Sequence, residues 1–222
     1  MIDLHTHTIL SDGCLVPSEL VRRAHVMGYK VLGITDHVDR SNIEHVLASL
    51  VKVCKDLSKK VDIKLIPGVE LTHIPLEDFK ALTAYARSLG ACLVIGHGET
   101  LSEPVIPGTN RAAIEAGVDI VAHPGLITAE DVKLAASKGI YLEISARAGH
   151  CLGNGHVAKL AVKYGAGLVV NTDSHGPENL ITREKATNIA LGAGLELEQI
   201  KDIILKGTDC LVSKLLERFA AI

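Results

Sequence analysis

The stretch Leu168-Val169-Val170-Asn171-Thr172-Asp173-Ser174-His175 is a short aliphatic run that ends in ionisable side chains. Six other stretches repeat this arrangement, because each places a His, Asp or Glu after an apolar run. They are residues 1–5, 31–37, 63–70, 93–97, 120–123 and 140–143. Runs of this length are typical of strands buried on both faces. Since the carboxyl ends of parallel strands meet on one face of a barrel, we expect the ionisable side chains to gather there.

The segments between these runs show helical periodicity. Most of them end in a glycine shortly before the next run, which is typical of a helix that stops at a left-handed cap. Helices are predicted over residues 16–24, 42–59, 76–89, 110–116, 129–138, 156–164, 183–191 and 198–219. Such an alternation indicates parallel strands joined by helical crossovers.

Seven strand–helix units predict a fold of the α/β class, a distorted seven-stranded (βα)7 TIM-like barrel. Residues 1–222 are expected to form it as a single domain, with a helical tail after the seventh strand. The alternative is a doubly wound open sheet, which would place its chemistry at one switch point between strands. We favour the barrel because ionisable residues end all seven runs.

The composition limits the classes of protein to which the chain can belong. Hydrophobic residues make up 47% of the 222 residues and aromatic residues only 3%, so we expect an aliphatic core. A formal charge of −3 argues against nonspecific binding to membranes or nucleic acids, and no stable nucleic-acid partner is expected. The five cysteines form no Cys-x-x-Cys pair, which favours free thiols in a reducing compartment. Because the sequence shows no signal peptide and no membrane-spanning stretch, we expect a cytoplasmic protein. The sequence does not predict its oligomeric state.

The ionisable residues that follow the runs have the side-chain types of a metal centre. His5 and His7 lie two apart on an extended strand, so their imidazoles point to the same side. Unpaired ionisable groups gathered in one pocket are costly without a counter-charge, which metal ions provide. The candidate ligands are six histidines and three carboxylates: His5, His7, Asp12, His37, Glu70, His97, His123, Asp173 and His175.

The order of these motifs resembles that of the PHP (polymerase and histidinol phosphatase) family. His5-x-His7, Ser11-Asp12-Gly13 and Ile34-Thr35-Asp36-His37 resemble its opening. The remaining motifs follow in order as Gly68-Val69-Glu70, His97, Ala122-His123-Pro124 and Asp173-Ser174-His175. The resemblance implies a distorted seven-stranded barrel with a site of two or three metal ions that hydrolyses phosphoesters.

The resemblance also implies how the ligands divide among three ions. Glu70 would bridge the first two ions, and the third site, which includes Asp12, is the one whose occupancy we leave open. The implied sets are His5, His7, Glu70 and Asp173; Glu70, His97 and His123; and Asp12, His37 and His175. These nitrogen and carboxylate ligands suit Zn, Mn or Fe. A hydroxide that bridges two ions would attack phosphorus, while the third ion would take charge on the leaving side.

Residues beside the ligands are also expected to serve the catalytic centre. Asp36, next to His37, is expected to orient a ligand imidazole through its free ring nitrogen, and we count it with His175 and Arg147 as catalytic. Glu143 is either a similar outer carboxylate or a strand-end acid paired with an Arg or a backbone amide.

The loop after the sixth run contains glycines, an arginine and two histidines, which is typical of a phosphate-binding loop. Arg147 and His150 are the candidate substrate-binding residues there, because a guanidinium grips phosphate through two hydrogen bonds. Arg183, after the last motif, is a further candidate. The alternative for Arg147 is an exposed arginine in a flexible loop.

The sequence therefore predicts a hydrolase for a small phosphomonoester, either histidinol phosphate-like or a nucleotide. Its opening also resembles relatives that trim oligonucleotides, but the inserted segment that they often carry is not found. One alternative is an amidohydrolase-like enzyme that hydrolyses C–N or C–O bonds. Such enzymes often have a lysine ligand, and the absence of any run that ends in Lys counts against this alternative. The other is a non-catalytic module that metal ions stabilise.

Overall fold

Parallel strands, taken in chain order, form the wall of a barrel in the computed structural model, which describes all residues 1–222. The strands are β1 Ile2–Asp3, β2 Val31–Ile34, β3 His37–Val38, β4 Lys64–Leu71, β5 Leu93–His97, β6 Ile120–Ala122, β7 Tyr141–Ser145 and β8 Leu168–Asn171. β3 continues β2 after a two-residue break, because Ile34 lies opposite Pro67 and His37 opposite Glu70 in one register. With β2 and β3 counted as one interrupted strand, the wall has seven strands, as predicted.

Helices cover the outside of the barrel and end close to the predicted positions. They are α1 Pro17–Val26, α2 Ile43–Leu57, α3 Phe79–Ser88, α4 Thr109–Ala116, α5 Ala129–Lys138, α6 Asn154–Tyr164, α7 Arg183–Gly192, α8 Leu197–Gln199 and α9 Lys206–Ala220. The predicted helix over 198–219 is interrupted by a π-helical segment, Ile200–Leu205, which joins α8 to α9. No helix has both the length and the apolar character that crossing a bilayer requires.

The barrel is nearly closed at a seam between β1 and β8. One isolated bridge pairs Thr6 with Ser174 there. Below it, the Thr172 hydroxyl donates to Asp3 Oδ2 over 2.6 Å, and Leu4 N donates to Asn171 Oδ1 over 2.9 Å. Because the strands follow one another in sequence around the wall, the predicted distorted barrel is confirmed and the doubly wound sheet is wrong.

Alternation along the strands separates an inner from an outer aliphatic layer. On β4, Leu65, Val69 and Leu71 pack against the helices, whereas Ile66 belongs to the cluster inside the barrel. Glu70 shares the inward face of Ile66, since residues with even spacing point the same way. Leucines of α9 pack into the inner cluster and close the amino end of the barrel, so ionisable side chains can fill only the carboxyl end.

Candidate metal centre

The innermost group of ionisable side chains comes from β4 and from the segments that directly follow β1 and β8. His5 Nε2 lies 3.2 Å from Glu70 Oε2, and His7 Nε2 lies 3.2 Å from Asp173 Oδ1. The crossed pairs are 3.6 Å for His7 Nε2 to Glu70 Oε2 and 3.8 Å for His5 Nε2 to Asp173 Oδ1. Two atoms that share a tetrahedral ion at about 2.1 Å lie roughly 3.4 Å apart. The four side chains are therefore spaced as ligands of one ion would be.

A second group uses the other oxygen of Glu70. His123 Nε2 lies 3.6 Å from Glu70 Oε1, and His97 brings a ring nitrogen within 4.8 Å of both. These side chains are fully buried or nearly so. Glu70 thus presents one oxygen to each group, which is the geometry of a bridging carboxylate.

A third, more exposed group lies at the mouth of the barrel. Asp12 Oδ1 is 3.1 Å from His175 Nε2 and 3.6 Å from His37 Nε2. His7 also lies within reach of this group. The Asp12 side chain is 57% exposed, whereas the carboxylates of the first two groups are buried. Water therefore competes most strongly at this group with the protein side chains for coordination of any ion.

Buried polar atoms without hydrogen-bond partners are concentrated in this cluster. Of eleven such side-chain atoms in the structure, eight belong to six of its residues: His5 Nε2, His7 Nδ1 and Nε2, Glu70 Oε1 and Oε2, His97 Nδ1, His123 Nδ1 and Asp173 Oδ1. Each unpaired buried polar atom destabilises the folded protein by about 1–3 kcal/mol, so a concentration of such atoms indicates a role other than stability. The donor set and its spacing fit divalent transition-metal ions.

The protonation states of the cluster are perturbed by burial and by mutual charge. Burial opposes the charge of Glu70, but the positive charges of His5 and His37 hold its pKa well below the usual range. Burial, together with the negative charge of Glu70, raises the pKa of Asp173 to about 7. Burial and the charges of neighbouring imidazoles lower the pKa of His7, which keeps it in the neutral form that binds metal.

The backbone is strained at two of the cluster residues. His123 has a φ of 28° and Asp173 a φ of 51°, and His73 is the third non-glycine residue with a positive φ, at 51°. Such conformations cost about 1–3 kcal/mol and persist where the surrounding structure fixes them, often at functional sites. At His123 and Asp173, the positive φ is explained because it directs the side chain into the cluster.

Glu143 is an outer carboxylate that contacts a candidate ligand directly. Its Oε2 lies 2.8 Å from His5 Nδ1 and accepts from Asn171 Nδ2 over 2.9 Å, while Oε1 accepts from His123 N over 3.3 Å. This contact fixes the His5 tautomer, because Nδ1–H donates to the carboxylate and Nε2 is free to bind a cation. The structure therefore favours the interpretation of Glu143 as an outer carboxylate that contacts a candidate ligand. Glu143 also accepts a hydrogen bond from the backbone amide of His123.

Asp36 does not orient the His37 imidazole, so that prediction is wrong. Its carboxylate accepts from Thr8 N over 2.7 Å, from the Thr8 hydroxyl over 2.8 Å and from the Ser11 hydroxyl over 2.7 Å. Neighbouring residues of an extended segment point to opposite sides, so Asp36 and His37 cannot share a direction. Asp36 instead holds the turn that carries Asp12, which gives it a positioning role and no contact with the reacting atoms.

Two of the predicted substrate residues lie at the mouth of the cluster. Arg147 donates through Nη1 to the Asp173 carbonyl over 2.9 Å, contacts His175 Nδ1, and holds Nε 3.6 Å from Asp173 Oδ2. His150 is buried, with Nδ1 2.8 Å from the Thr100 hydroxyl and Nε2 4.0 Å from Asp173 Oδ2. The structure thus places both beside Asp173.

Arg183 lies at the opposite end of the barrel, so its predicted role at this site is wrong. It begins α7 and lines a cavity with Met1 and Lys30, which stand at the amino ends of β1 and β2. The chain returns to that end before α7, because the Tyr29 hydroxyl bonds to both the carbonyl and the amide of Ile181. Sequence order alone suggested proximity to Asp173, but the returning segment carries Arg183 away.

Glu103 is a site residue that the sequence reasoning missed. From the loop between β5 and α4, its Oε2 lies 3.1 Å from both His97 Nε2 and His73 Nε2, and its Oε1 lies 3.4 Å from His150 Nε2. It follows no apolar run, so the strand-end pattern could not find it. Its signal in the sequence is its place in the long loop that leaves a strand ending in a candidate ligand.

Comparisons with known proteins place the chain in a family. Residues 3–96 match the family model of the PHP domain. The chain is 44% identical over 205 residues to an uncharacterized protein of Methanocaldococcus jannaschii, a match that covers 91% of this chain and 94% of that protein. The chain belongs to the PHP domain family. The family predicted from the motifs is thereby confirmed, although His97, His123, Asp173 and His175 lie beyond the matched residues.

Other PHP relatives have names that point to hydrolysis. A protein of Clostridium novyi named probable phosphatase is 31% identical over 199 residues, with 79% of each chain covered. The Escherichia coli 5′-3′ exoribonuclease Rnm is 40% identical over 145 residues, but the match covers 57% of this chain and only 44% of that enzyme. Among solved structures, the Lactococcus lactis histidinol phosphate phosphatase, complexed with zinc, L-histidinol and phosphate, has a TM-score of 0.63 at 18% identity. That match covers 88% of this chain and 94% of the phosphatase, and it shows the shared fold.

Proposed function

We propose that this PHP protein is a metal-dependent phosphoesterase that hydrolyses a small phosphomonoester. The observation that carries the proposal is a cluster of six residues at the carboxyl end of the barrel that holds eight buried nitrogen and oxygen atoms without hydrogen-bond partners. Two or three divalent transition-metal ions, Zn, Mn or Fe, are the counter-charge that this set requires. The nine candidate ligands predicted from the sequence make up the three groups that would hold them.

The chain's own residues orient the ligands and receive the phosphate. Ions held by this cluster would acidify a water nucleophile and neutralise phosphate oxygens. Glu143 fixes the tautomer of His5. Arg147 is 31% exposed and engages Asp173 and His175 through Nη1 and Nε, so its remaining N–H donors can bind a phosphate oxygen.

The charge of the chain supports a small substrate. The rim of the metal centre is formed by the loop between β5 and α4, which carries Glu103, and by the loop after β7, which carries Arg147 and His150. The chain has no excess of cationic residues that would track a polynucleotide backbone, since its formal charge is −3. Glu103 adds a negative charge at the rim, which favours a leaving group that carries hydrogen-bond donors, as a nucleoside or an amino alcohol does.

The 5′ end of an oligonucleotide is the second candidate substrate. It is favoured by the 40% identity to the Escherichia coli exoribonuclease over 145 residues. An amidohydrolase-like activity has less support, because the three groups consist of histidines and carboxylates with no lysine.

One assay separates these candidates. The protein is stripped of metal with a chelator, reloaded with Zn, Mn or Fe, and given histidinol phosphate, mononucleotides, a 5′-phosphorylated oligonucleotide, simple amides and lactones. We expect turnover of phosphomonoesters that disappears on chelation and returns with metal. Turnover of amides or lactones alone would contradict the proposal, and so would stoichiometric metal binding with no turnover, which would indicate a non-catalytic module. A preference for the oligonucleotide would select the second candidate.

A further inference from the structure

A cavity of about 380 Å³ lies at the amino end of the barrel, at the far end from the metal centre. It opens at the lower part of the seam, where Ile2 of β1 and Val170 of β8 line it. These strands run from the cavity to His5 and Asp173 at the other end. Its volume is that of a pocket for a small molecule.

The walls of the cavity are mostly aliphatic. Eight of its thirteen lining residues are hydrophobic, and they come from four separate segments. α7 supplies Ala186 and Ala190, and the π-helical segment supplies Ile200, Ile204 and Leu205. π-Helical turns inside longer helices are rare and are found frequently at functional sites. Such walls suit the apolar part of a ligand.

Two cationic side chains stand at the cavity without acidic partners. Lys30 and Arg183 both line it, and neither takes part in any of the Lys or Arg ion pairs of the structure. Burial lowers the pKa of the Met1 amino group, and the charges of Arg183 and Lys30 lower it further. Asp209 is the acidic lining residue, so positive charge is in excess.

A buried hydroxyl without a partner also lines the cavity. Thr208 is 7% exposed, and its Oγ1 has no hydrogen bond. No other lining residue has a buried side-chain atom in this state. A polar atom of a bound molecule would satisfy the hydroxyl and remove the cost of leaving it unpaired.

We propose that this cavity binds a small amphipathic anion, one that combines an aliphatic body with a single anionic head group. The aliphatic body fills the space between α7 and the π-helical segment. The head group lies toward Lys30 and Arg183, and one of its oxygens accepts a hydrogen bond from Thr208. This site is independent of the metal centre and of the activity proposed there.

The test uses decanoate as the probe on the metal-loaded protein with ¹³C-labelled isoleucine methyl groups. We expect saturable shifts at Ile2, Ile200 and Ile204, which line the cavity, and none at Ile9, which is exposed beside Thr8 at the opposite end. Arg183→Glu should weaken binding about tenfold or more, the effect of losing a charge-assisted contact. The matched control is Lys185→Glu, an exposed position two residues along α7 that does not line the cavity, and it should leave the affinity unchanged.

Other ligands and a second variant keep the test decisive. Decanol and inorganic phosphate each supply half of the proposed ligand, and both should bind at least about tenfold more weakly than decanoate. The near-isosteric Thr208→Val should also weaken decanoate, which provides a reading if Arg183→Glu does not fold. Equal binding of decanol or phosphate, shifts confined to Ile9, or the absence of saturable shifts would each overturn the proposal.

Discussion

The two ends of this barrel are built from the same strands and have opposite chemistry. At the amino end, the inward positions are aliphatic and pack against Leu211 and Leu215 of α9. At the carboxyl end, the inward positions are ionisable, and eight of their buried atoms have no hydrogen-bond partner. On β4 the change occurs within four residues, from Ile66 to Glu70. The aliphatic half supplies the hydrophobic stabilisation that allows the other half to hold desolvated charges in place.

The largest expected effect comes from removing the shared carboxylate. Glu70→Gln keeps the size of the side chain but removes the negative charge that faces both inner groups. We expect metal content to fall and phosphoesterase activity to drop by more than about a hundredfold, beyond the effect of removing an outer partner. Metal analysis and steady-state kinetics measure this. The control Glu77→Gln, at an exposed position, should change neither, and a metal-replete, fully active Glu70→Gln protein would disprove the bridging role.

The converse substitution lies four residues earlier on the same strand. Ile66→Ala removes buried methyl groups from the aliphatic half and leaves a cavity, so we expect a loss of about 2–5 kcal/mol in the free energy of unfolding. Metal content and kcat of the folded protein should not change. Urea unfolding of the metal-loaded protein, with activity measured below the transition, tests both points. A large loss of activity in folded Ile66→Ala would show that the two ends are not separable.

Glu143→Gln should produce an intermediate effect, because Glu143 acts through His5. The substitution removes the charge that accepts from His5 Nδ1, so the imidazole loses its fixed tautomer. We expect a decrease of about 10–100-fold in metal affinity or activity. Competition with a chromophoric chelator measures the affinity. If the affinity is unchanged, the contact has only a structural role.

Arg147, in the loop after β7, and Arg183, at the start of α7, lie at opposite ends of the barrel, so substitutions of the two can be compared directly. If Arg147 binds ground-state phosphate as proposed, Arg147→Ala should raise KM for a phosphomonoester about tenfold while changing kcat less. Arg183→Ala should leave both constants unchanged, since Arg183 lines the cavity at the other end. Identical kinetics for the two variants would return Arg147 to the alternative of an exposed loop residue.

The smallest effect concerns the pairing of Glu103 with the histidines around it. The hydrogen bond from His97 is the main cause that lowers the pKa of Glu103 to about 2 from its usual 4.5. A carboxylate whose pKa is depressed in the folded state stabilises it above pH 4.5, and this contribution disappears as the pH falls toward 2. Because the side chain is 36% exposed, Glu103→Gln should cost at most about 1 kcal/mol at neutral pH.

Unfolding of the metal-free protein at a series of pH values tests this prediction. The difference between Glu103→Gln and the unsubstituted protein should shrink below pH 4.5. A difference that stays constant with pH would mean that the charge of Glu103 does not contribute.

Several features of the site could be predicted because they depend on periodicity. A strand that is buried on both sides forces every second residue inward, so an ionisable residue at the end of an apolar run points at the barrel axis. His5, Glu70 and Asp173 followed from this rule, and the structure brings them together. Asp36 was misjudged because its partners, Thr8 and Ser11, belong to a turn that no periodicity describes.

The sequence by itself determined the seven strand–helix units, the aliphatic core and the end of the barrel at which ionisable groups collect. These follow from the local alternation of apolar and polar residues, which each segment carries within itself. Only the tertiary structure decided that Glu103 reaches His97, that Arg183 belongs to the far end, and that a cavity opens at the seam between β1 and β8. Such features depend on how loops return over the barrel and on where packing leaves space, and both are set by contacts between residues distant in sequence.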